Sequence, residues 1–261
     1  SDKIESNRFS KPSEYIYSAS EKFKKLDYEG AIEDYTKAIA INPDHRLYFN
    51  RALAKNKLKD YSGAIEDYTK AIQINPKYFQ AYLNRGIIKN MNKNYTGAIE
   101  DYTKAIAINP KYSKAYNSRA ISKSSSLDYS GAIEDHTKAI EINPNYAFAY
   151  LNRGITKVRL KDYSGALDDY NKAIELDPTE EFAYFSRALR MNTVGNYPQA
   201  IQDLSKAIKI NPKNGRFYYY RAKVRENQDL LQLACDDYRR ALSLGYKNAE
   251  KYILLSCSSN P

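Results

Sequence analysis

Apolar and polar positions along this chain repeat on a short period and again on a long one. In the segment Gly97-Ala98-Ile99-Glu100-Asp101-Tyr102-Thr103-Lys104-Ala105-Ile106, the apolar residues Ala98, Ile99, Tyr102 and Ala105 fall at i, i+1, i+4 and i+7. That spacing collects them on one face of a helix. Nearly the same string recurs around Ala31, Ala64, Ala132, Ala166, Ala200 and Ala234, at a step of 33 and then of 34 residues five times. A fixed period of this length marks an array of stacked supersecondary units.

Each unit reads as two helices. In residues 79–112, Tyr82, Gly86 and Lys89 share one face of a first helix. A second helix follows from Asn94 and is closed at Pro110, because proline cannot continue a helix and disfavours helix in the residue before it. Pro43, Pro76, Pro144, Pro178 and Pro212 repeat that stop, and Tyr246 replaces it at the end of the array. Asp27, Asp60, Asn94, Asp128, Asp162, Asn196 and Asp229 are the expected N-caps. Gly86, matched by Ala52, Ala120, Gly154, Ala188 and Ala222, is expected opposite Ala98 where the two helices approach most closely. Glu66–Lys70, Glu100–Lys104 and Glu134–Lys138 are i, i+4 pairs on a solvated face, each expected to add roughly 0.2–0.5 kcal/mol. The resulting division is a polar segment 1–11, repeats 12–44, 45–78, 79–112, 113–146, 147–180, 181–214 and 215–248, and a capping helix 249–261.

The pattern small-x11-Ala-x6-Ala-x4-Pro, with Tyr where tryptophan is usual, resembles the tetratricopeptide repeat over about residues 12–248. The resemblance implies an all-α fold, a right-handed α-α superhelical solenoid of antiparallel helix pairs whose first helices line a concave groove. It also implies a protein-protein interaction scaffold. The chain's ending, Ala234-Cys235 with Asp237-Tyr238, then Leu244-Gly245 and a final Cys257, is similar to that of bacterial members.

At 100° per residue, positions such as 80, 83, 84, 87 and 90 point away from the second helix. Over the repeats that face gathers Ile16, Phe49, Leu83, Ile87, Ile121, Phe148, Leu151, Ile155, Phe182, Phe185 and Leu189. An open apolar strip suits a partner, whereas lateral packing between neighbouring first helices would cover the same residues. Asn50, Asn84 and Asn152 share one repeat position, interrupted by Ser118, Ser186 and Tyr220. They resemble the asparagine ladder of the tetratricopeptide superhelix in O-GlcNAc transferases, which implies a grip on a peptide backbone. The candidate peptide-binding set is therefore Phe49, Asn50, Leu83, Asn84, Ile87, Leu151, Asn152, Ile155, Phe185 and Leu189. The Lys/Asn pair that opens the family's clamp for chaperone tails is missing, since Ile16/Ser20, Phe49/Leu53 and Leu83/Ile87 occupy those places.

Arg51, Arg85, Arg119, Arg153, Arg187 and Arg221 recur beside that position, and Asp34, Asp67, Asp101, Asp135, Asp169, Asp203 and Asp237 recur on the second helices. Strict ion pairing is expected, either within or between repeats, because an unpaired buried charge costs several kcal/mol.

Charge sharpens the expected ligand. The chain carries a formal +10, and Lys24, Arg46, Lys57, Lys114, Arg159, Arg216 and Lys223 fall on the groove face against Glu226 alone. An acidic and hydrophobic protein or peptide ligand fits that balance. Single-stranded RNA is the alternative, with Tyr219 and Tyr220 as stacking platforms, but the groove is more apolar than basic. No catalytic constellation is apparent: the two histidines, His45 and His136, stand at unrelated repeat positions, and His136 replaces the Tyr found at Tyr68, Tyr102 and Tyr170. No enzyme activity, cofactor or metal is expected. Two cysteines, Cys235 and Cys257, either form a disulfide that pins the cap or remain small buried thiols. No run of about 18 apolar residues is present, so membrane insertion is not expected. A monomer is favoured. A cytoplasmic setting is favoured over a periplasmic or secreted one, which a removed leader would allow.

Overall fold

The computed structural model describes residues 2–257, with side chains from Pro12 onward, so the polar side chains of the 1–11 segment and cap residues 258–261 lie outside the described residues. Two compact units meet in sequence after Asp128. The first holds α1 (Asp2–Lys24), α2 (Tyr28–Ile41), α3 (His45–Lys57), α4 (Tyr61–Ile74), α5 (Phe79–Met91), α6 (Tyr95–Ile108) and α7 (Ser113–Ser125). The second holds α8 (Tyr129–Ile142), α9 (Ala147–Arg159), α10 (Tyr163–Leu176), α11 (Glu181–Thr193), α12 (Tyr197–Ile210), α13 (Gly215–Glu226), α14 (Leu231–Ser243) and, after a 3-10 turn at Lys247–Ala249, α15 (Glu250–Ser256). Among the described residues all regular structure is helical, and the fold class is the expected all-α solenoid of antiparallel helix pairs.

The turn inside each pair has one construction. At the end of α3, Lys59 takes a positive φ of 63° while its N–H bonds to Asn56 O at 3.0 Å and the Asp60 N–H bonds to Lys55 O at 2.9 Å. These two bonds satisfy carbonyls that the helix end would leave open. Asp60 then caps α4, its Oδ1 accepting from Gly63 N at 3.0 Å. Asp27, Asn94, Asp162 and Asn196 cap their helices in the same way. The seventh repeat differs from expectation. Leu230 is the N-cap of α14 and makes no side-chain bond, while Asp229 stands one residue earlier at the left-handed position, with φ 58°.

Between pairs, the residue before each proline ends the helix. Asn75 leaves the helical conformation and its Oδ1 accepts from Lys77 N at 3.1 Å, a local side-chain turn of the kind that favours Asn here. The last repeat lacks that proline, and Gly245 at φ 84° closes α14 instead.

Buried rings fill each layer. Tyr68, Tyr102, Tyr170 and Tyr238 are at most 2% exposed. A Cβ at Gly86 would stand 2.7 Å from Tyr102 Cε1, and one at Gly154 would meet the Tyr170 ring and, at 3.2 Å, the carbonyl of Ala166, the counterpart of Ala98. Ala52, at the equivalent position, is buried in one cluster with Tyr68. The expected Glu66–Lys70 and Glu100–Lys104 ion pairs do not form, and Lys138 reaches Glu141 at 2.9 Å. Long side chains in water gain too little from such pairs to be held in one geometry.

At the C-terminal end, Cys235 of α14 and Cys257 are joined by a disulfide. It closes the cap over a ring cluster in which Tyr238 stacks on Tyr252 at 5.2 Å and Tyr219 lies 5.0 Å from Tyr246.

Candidate functional site

The recurrent arginines belong to the scaffold. Arg85 holds Asp101 in its own helix pair, and Arg51, Arg153, Arg187 and Arg221 hold Asp67, Asp169, Asp203 and Asp237 in the same way, at 2.7–2.8 Å. The pairing is thus within repeats. The third guanidinium nitrogen reaches back to the preceding second helix, from Arg85 to Thr69, Arg153 to Thr137 and Arg187 to Asn171. Lys55, Lys89 and Lys157 add a second cation to their aspartates, each at 2.9 Å. Asp34, which has no matching arginine, takes Lys22 at 2.7 Å and Ser18 at 2.6 Å. These groups satisfy one another and leave little for a ligand.

In the second unit, the free faces of α9 and α11 frame a cavity of about 580 Å³. Its apolar wall is made by Phe148, Leu151, Ile155, Phe182, Phe185 and Leu189. The position along the helix decides which of these remain open. Leu151 and Phe185 turn toward neighbouring helices and are 2% and 3% exposed, so lateral packing claims them for the floor. Phe148, Ile155 and Phe182 stay 39–44% exposed at the rim.

Polar groups are few and placed. Asn152 Nδ2 donates to Phe148 O at 2.8 Å, which fixes the amide and leaves its carbonyl oxygen and second N–H for other partners. Ser186 lies at the same repeat position on α11 and also lines the cavity. Burial pushes the Tyr170 hydroxyl, another lining group, up to about 12, against the opposing charge of Arg190. Arg159, Arg190 and Arg216 complete the lining, and no carboxylate residue is among it.

Five of the ten candidate residues, Leu151, Asn152, Ile155, Phe185 and Leu189, therefore come together here. The other five lie in the first unit. Leu83 is buried in a cluster with Ala98, Tyr102 and Ala115, and Ile87 packs at its edge. Phe49 packs on Tyr68 and Tyr78 at 5.6 and 5.0 Å. Asn84 donates to Gln80 O at 2.8 Å, as Asn152 does to its own helix. Asn50 lines two smaller cavities of about 380 and 220 Å³.

Three of the seven basic residues expected on the groove face have partners within the protein. Lys24 pairs with Glu21 at 2.7 Å, Arg46 with Asp44 at 3.1 Å, and Lys223 donates to the Tyr252 hydroxyl at 3.2 Å. Glu226 accepts from Tyr238 at 2.6 Å. Arg159 and Arg216 keep no carboxylate partner among the described residues, and Arg190 joins them without having been expected. The signal that could have found Arg190 is its repeat position, which in repeats two to five and in the seventh holds Ala54, Ile88, Ser122, Thr156 and Val224. Tyr219, expected as a stacking platform, is 9% exposed inside the C-terminal ring cluster, and Tyr220 packs on Phe185 at 5.2 Å. Among the described residues no group of three His, Cys, Asp or Glu could hold a metal, and no helix is long and apolar enough to cross a membrane.

Comparison with known proteins agrees with the repeat. A family model described as tetratricopeptide repeat matches residues 46–78, 79–112 and 147–180, a second so described matches 18–45, and one described as TPR repeat matches 194–229. Together these cover more than half of the chain. No curated protein sequence matches. Among solved structures, a tetratricopeptide repeat protein from Parabacteroides merdae ATCC 43184 is similar at 22% identity and TM-score 0.76, over 95% of this chain and 99% of that one. MamA from Desulfovibrio magneticus RS-1 is similar at 20% identity and TM-score 0.61, over 66% and 97%. YrrB, described as a TPR protein with an unusual peptide-binding site, is similar at 23% identity and TM-score 0.54, over 68% and 92%. At such identities the likeness is one of fold.

Proposed function

We propose, for a chain that belongs to the tetratricopeptide repeat family, that it is a protein-interaction scaffold holding a peptide segment of its partner in the α9–α11 cavity. The observation that carries this reading is the open rim of Phe148, Ile155 and Phe182 above a floor already closed by Leu151 and Phe185. Apolar side chains that could have been covered by packing are instead left in water beside a fixed amide. Such a patch, rimmed by polar groups, is the surface on which a partner gains most from burial. The volume falls in the ~300–1,000 Å³ range of ordinary ligand clefts, and the amide of Asn152 suits the backbone of an extended segment. The peptide-binding site for which YrrB is described is consistent with this use of the fold.

The test is a pull-down from source-cell lysate with wild type beside an Ile155→Glu/Phe182→Glu variant, in low and high salt. Those two residues can carry a charge without burying it, which Leu83 and Leu151 cannot. Proteins retained by the wild type in both salts and lost by the variant support the reading. Nucleic acid captured only at low salt, equally by both proteins, sinks it in favour of phosphate-driven binding.

A further inference from the structure

Arg190 is misplaced by the logic of the repeat. In five of the other six repeats its position is filled by Ala54, Ile88, Ser122, Thr156 and Val224, all uncharged and at most 2% exposed, and in the first by the partly exposed Glu21. The guanidinium carbon of Arg190 lies 4.0 Å from the centre of the Tyr163 ring, and its Nε is buried with no hydrogen-bond partner. Its neighbour in sequence shows that a charge has been moved. Where other repeats place Lys55, Lys89, Lys157 or Arg225 on the scaffold aspartate, the sixth repeat has Met191. Asp203 is satisfied without it, by Arg187 at 2.7 Å and by Gln199 at 3.0 Å. The positive charge missing from the scaffold stands one residue earlier, in the cavity wall.

Two further guanidinium groups line the same cavity. Arg216 lies over the Phe185 ring at 4.6 Å, and Arg159 sits in the last turn of α9. None of the three has a carboxylate within ion-pairing distance among the described residues, and the lining contains no Asp or Glu. Arg159 and Arg216 stand exposed, whereas Arg190 is partly buried, and a cation held out of water without a counter-charge is costly unless an occupant supplies one. The charges are also spread out. Phe185, under Arg216, and Arg190 are five residues apart on α11, roughly 7.5 Å of helix rise. An extended peptide covers that span in two to three residues, at about 3.3 Å each.

We infer that this cavity takes a peptide segment in which one or two large apolar residues stand between two acidic ones. One carboxylate meets Arg190 with Arg159, the other meets Arg216, and the apolar side chains fill the space between Phe148, Ile155 and Phe182. This assignment rests on the peptide-binding reading above and adds the composition of the ligand. Side-chain carboxylates carry the charge, so a peptide with both termini blocked binds.

The test uses fluorescence anisotropy with the full chain and a labelled acetyl-Gly-Ser-Glu-Phe-Leu-Glu-Ser-Gly-amide. Its partners are the same peptide with both Glu replaced by Gln and the same peptide with Phe-Leu replaced by Ser-Ser. Both replacements are expected to weaken binding by about tenfold or more. Arg190→Val, which copies Val224, is expected to fold as the wild type does by circular dichroism and to lose most of the preference for Glu over Gln. Arg190→Lys keeps part of it. Equal binding of the Glu and Gln peptides, or a preference unchanged in Arg190→Val, overturns the inference, and so does the absence of binding by the Glu peptide. The Ile155→Glu/Phe182→Glu pull-down then decides separately whether the cavity binds a partner of other composition.

Discussion

Arg85 closes on Asp101 through two parallel hydrogen bonds, 2.7 Å from Nη2 to Oδ1 and 2.9 Å from Nε to Oδ2. Its remaining nitrogen bonds Thr69 on the preceding helix pair at 2.9 Å, so one guanidinium fastens both the pair and the stack. Asp101 is 3% exposed and also receives Lys89. Asp101→Ala leaves two cations facing each other and is expected to destabilise by about 3–5 kcal/mol. Arg85→Ala leaves Lys89 to neutralise Asp101, so its cost is smaller. Urea unfolding midpoints of the two variants check the order, and an equal loss would mean that Lys89 contributes nothing to Asp101.

The same pair shows how far the chain's pattern could be read. Repetition made the helices, their caps and the Arg/Asp positions legible, because each local device recurs with the same chemistry. It left the partner of each arginine open, since either scheme leaves one aspartate over, and Asp34 with Lys22 and Ser18 turns out to be the odd one. The cap of α14 was read one residue early, because Asp229 looks like a cap while holding the left-handed turn position. Helical angles identified the free face of α9 and α11 but could not separate its open edge from its covered one. That division, Ile155 and Phe182 against Leu151 and Phe185, depends on how adjacent first helices approach. Arg190 stands at a repeat position that the helical angles assign to neither face, and only the structure brings it to the cavity wall.

His136 gives the second unit an acid response. Burial holds its imidazole down at about 4, well below its ordinary value near 6.5, since the ring is fully covered in place of a tyrosine. The unfolded chain therefore takes up a proton between about pH 6.5 and 4 that the folded chain refuses. Stability contributed by the neutral ring is complete above pH 6.5 and declines as pH falls toward 4, by up to about 3 kcal/mol. His136→Tyr, which restores the residue of Tyr102 and Tyr170, removes this slope. Urea midpoints at pH 7 and pH 4.5 for both proteins measure it, and an identical decline in the variant would place the acid sensitivity elsewhere.

The Cys235–Cys257 disulfide closes a loop whose ends are 22 residues apart. In the chain-entropy view a loop of that size is worth about 3 kcal/mol, expressed in the last helix pair and its cap. Cys257→Ser, or a reducing agent on the wild type, is expected to loosen α15 and the Tyr219 cluster first. Amide exchange in α13–α15 should rise, while α9 and α11 keep their protection. Uniform loss of protection through residues 147–257 would show instead that the cap holds the whole of that unit.

The turn between paired helices offers a substitution that isolates the backbone. Lys161 and Gly195 occupy the same left-handed position, at φ 64° and 78°. A side chain at that conformation costs about 1–2 kcal/mol through its Cβ and the adjacent carbonyl. At Gly195 an added Cβ meets nothing within 4 Å, so Gly195→Ala exposes the conformational cost alone. It is expected to destabilise by about 1 kcal/mol, and Lys161→Gly to stabilise by a similar amount, less the greater entropy that glycine adds to the unfolded chain. Both changes lie outside the cavity lining, so peptide binding should stay as in the wild type. Thermal melts of the two variants and their double test the pair. A double variant that melts like the wild type agrees with one shared backbone cause, and opposite single effects that fail to add would require contacts that the turn does not make.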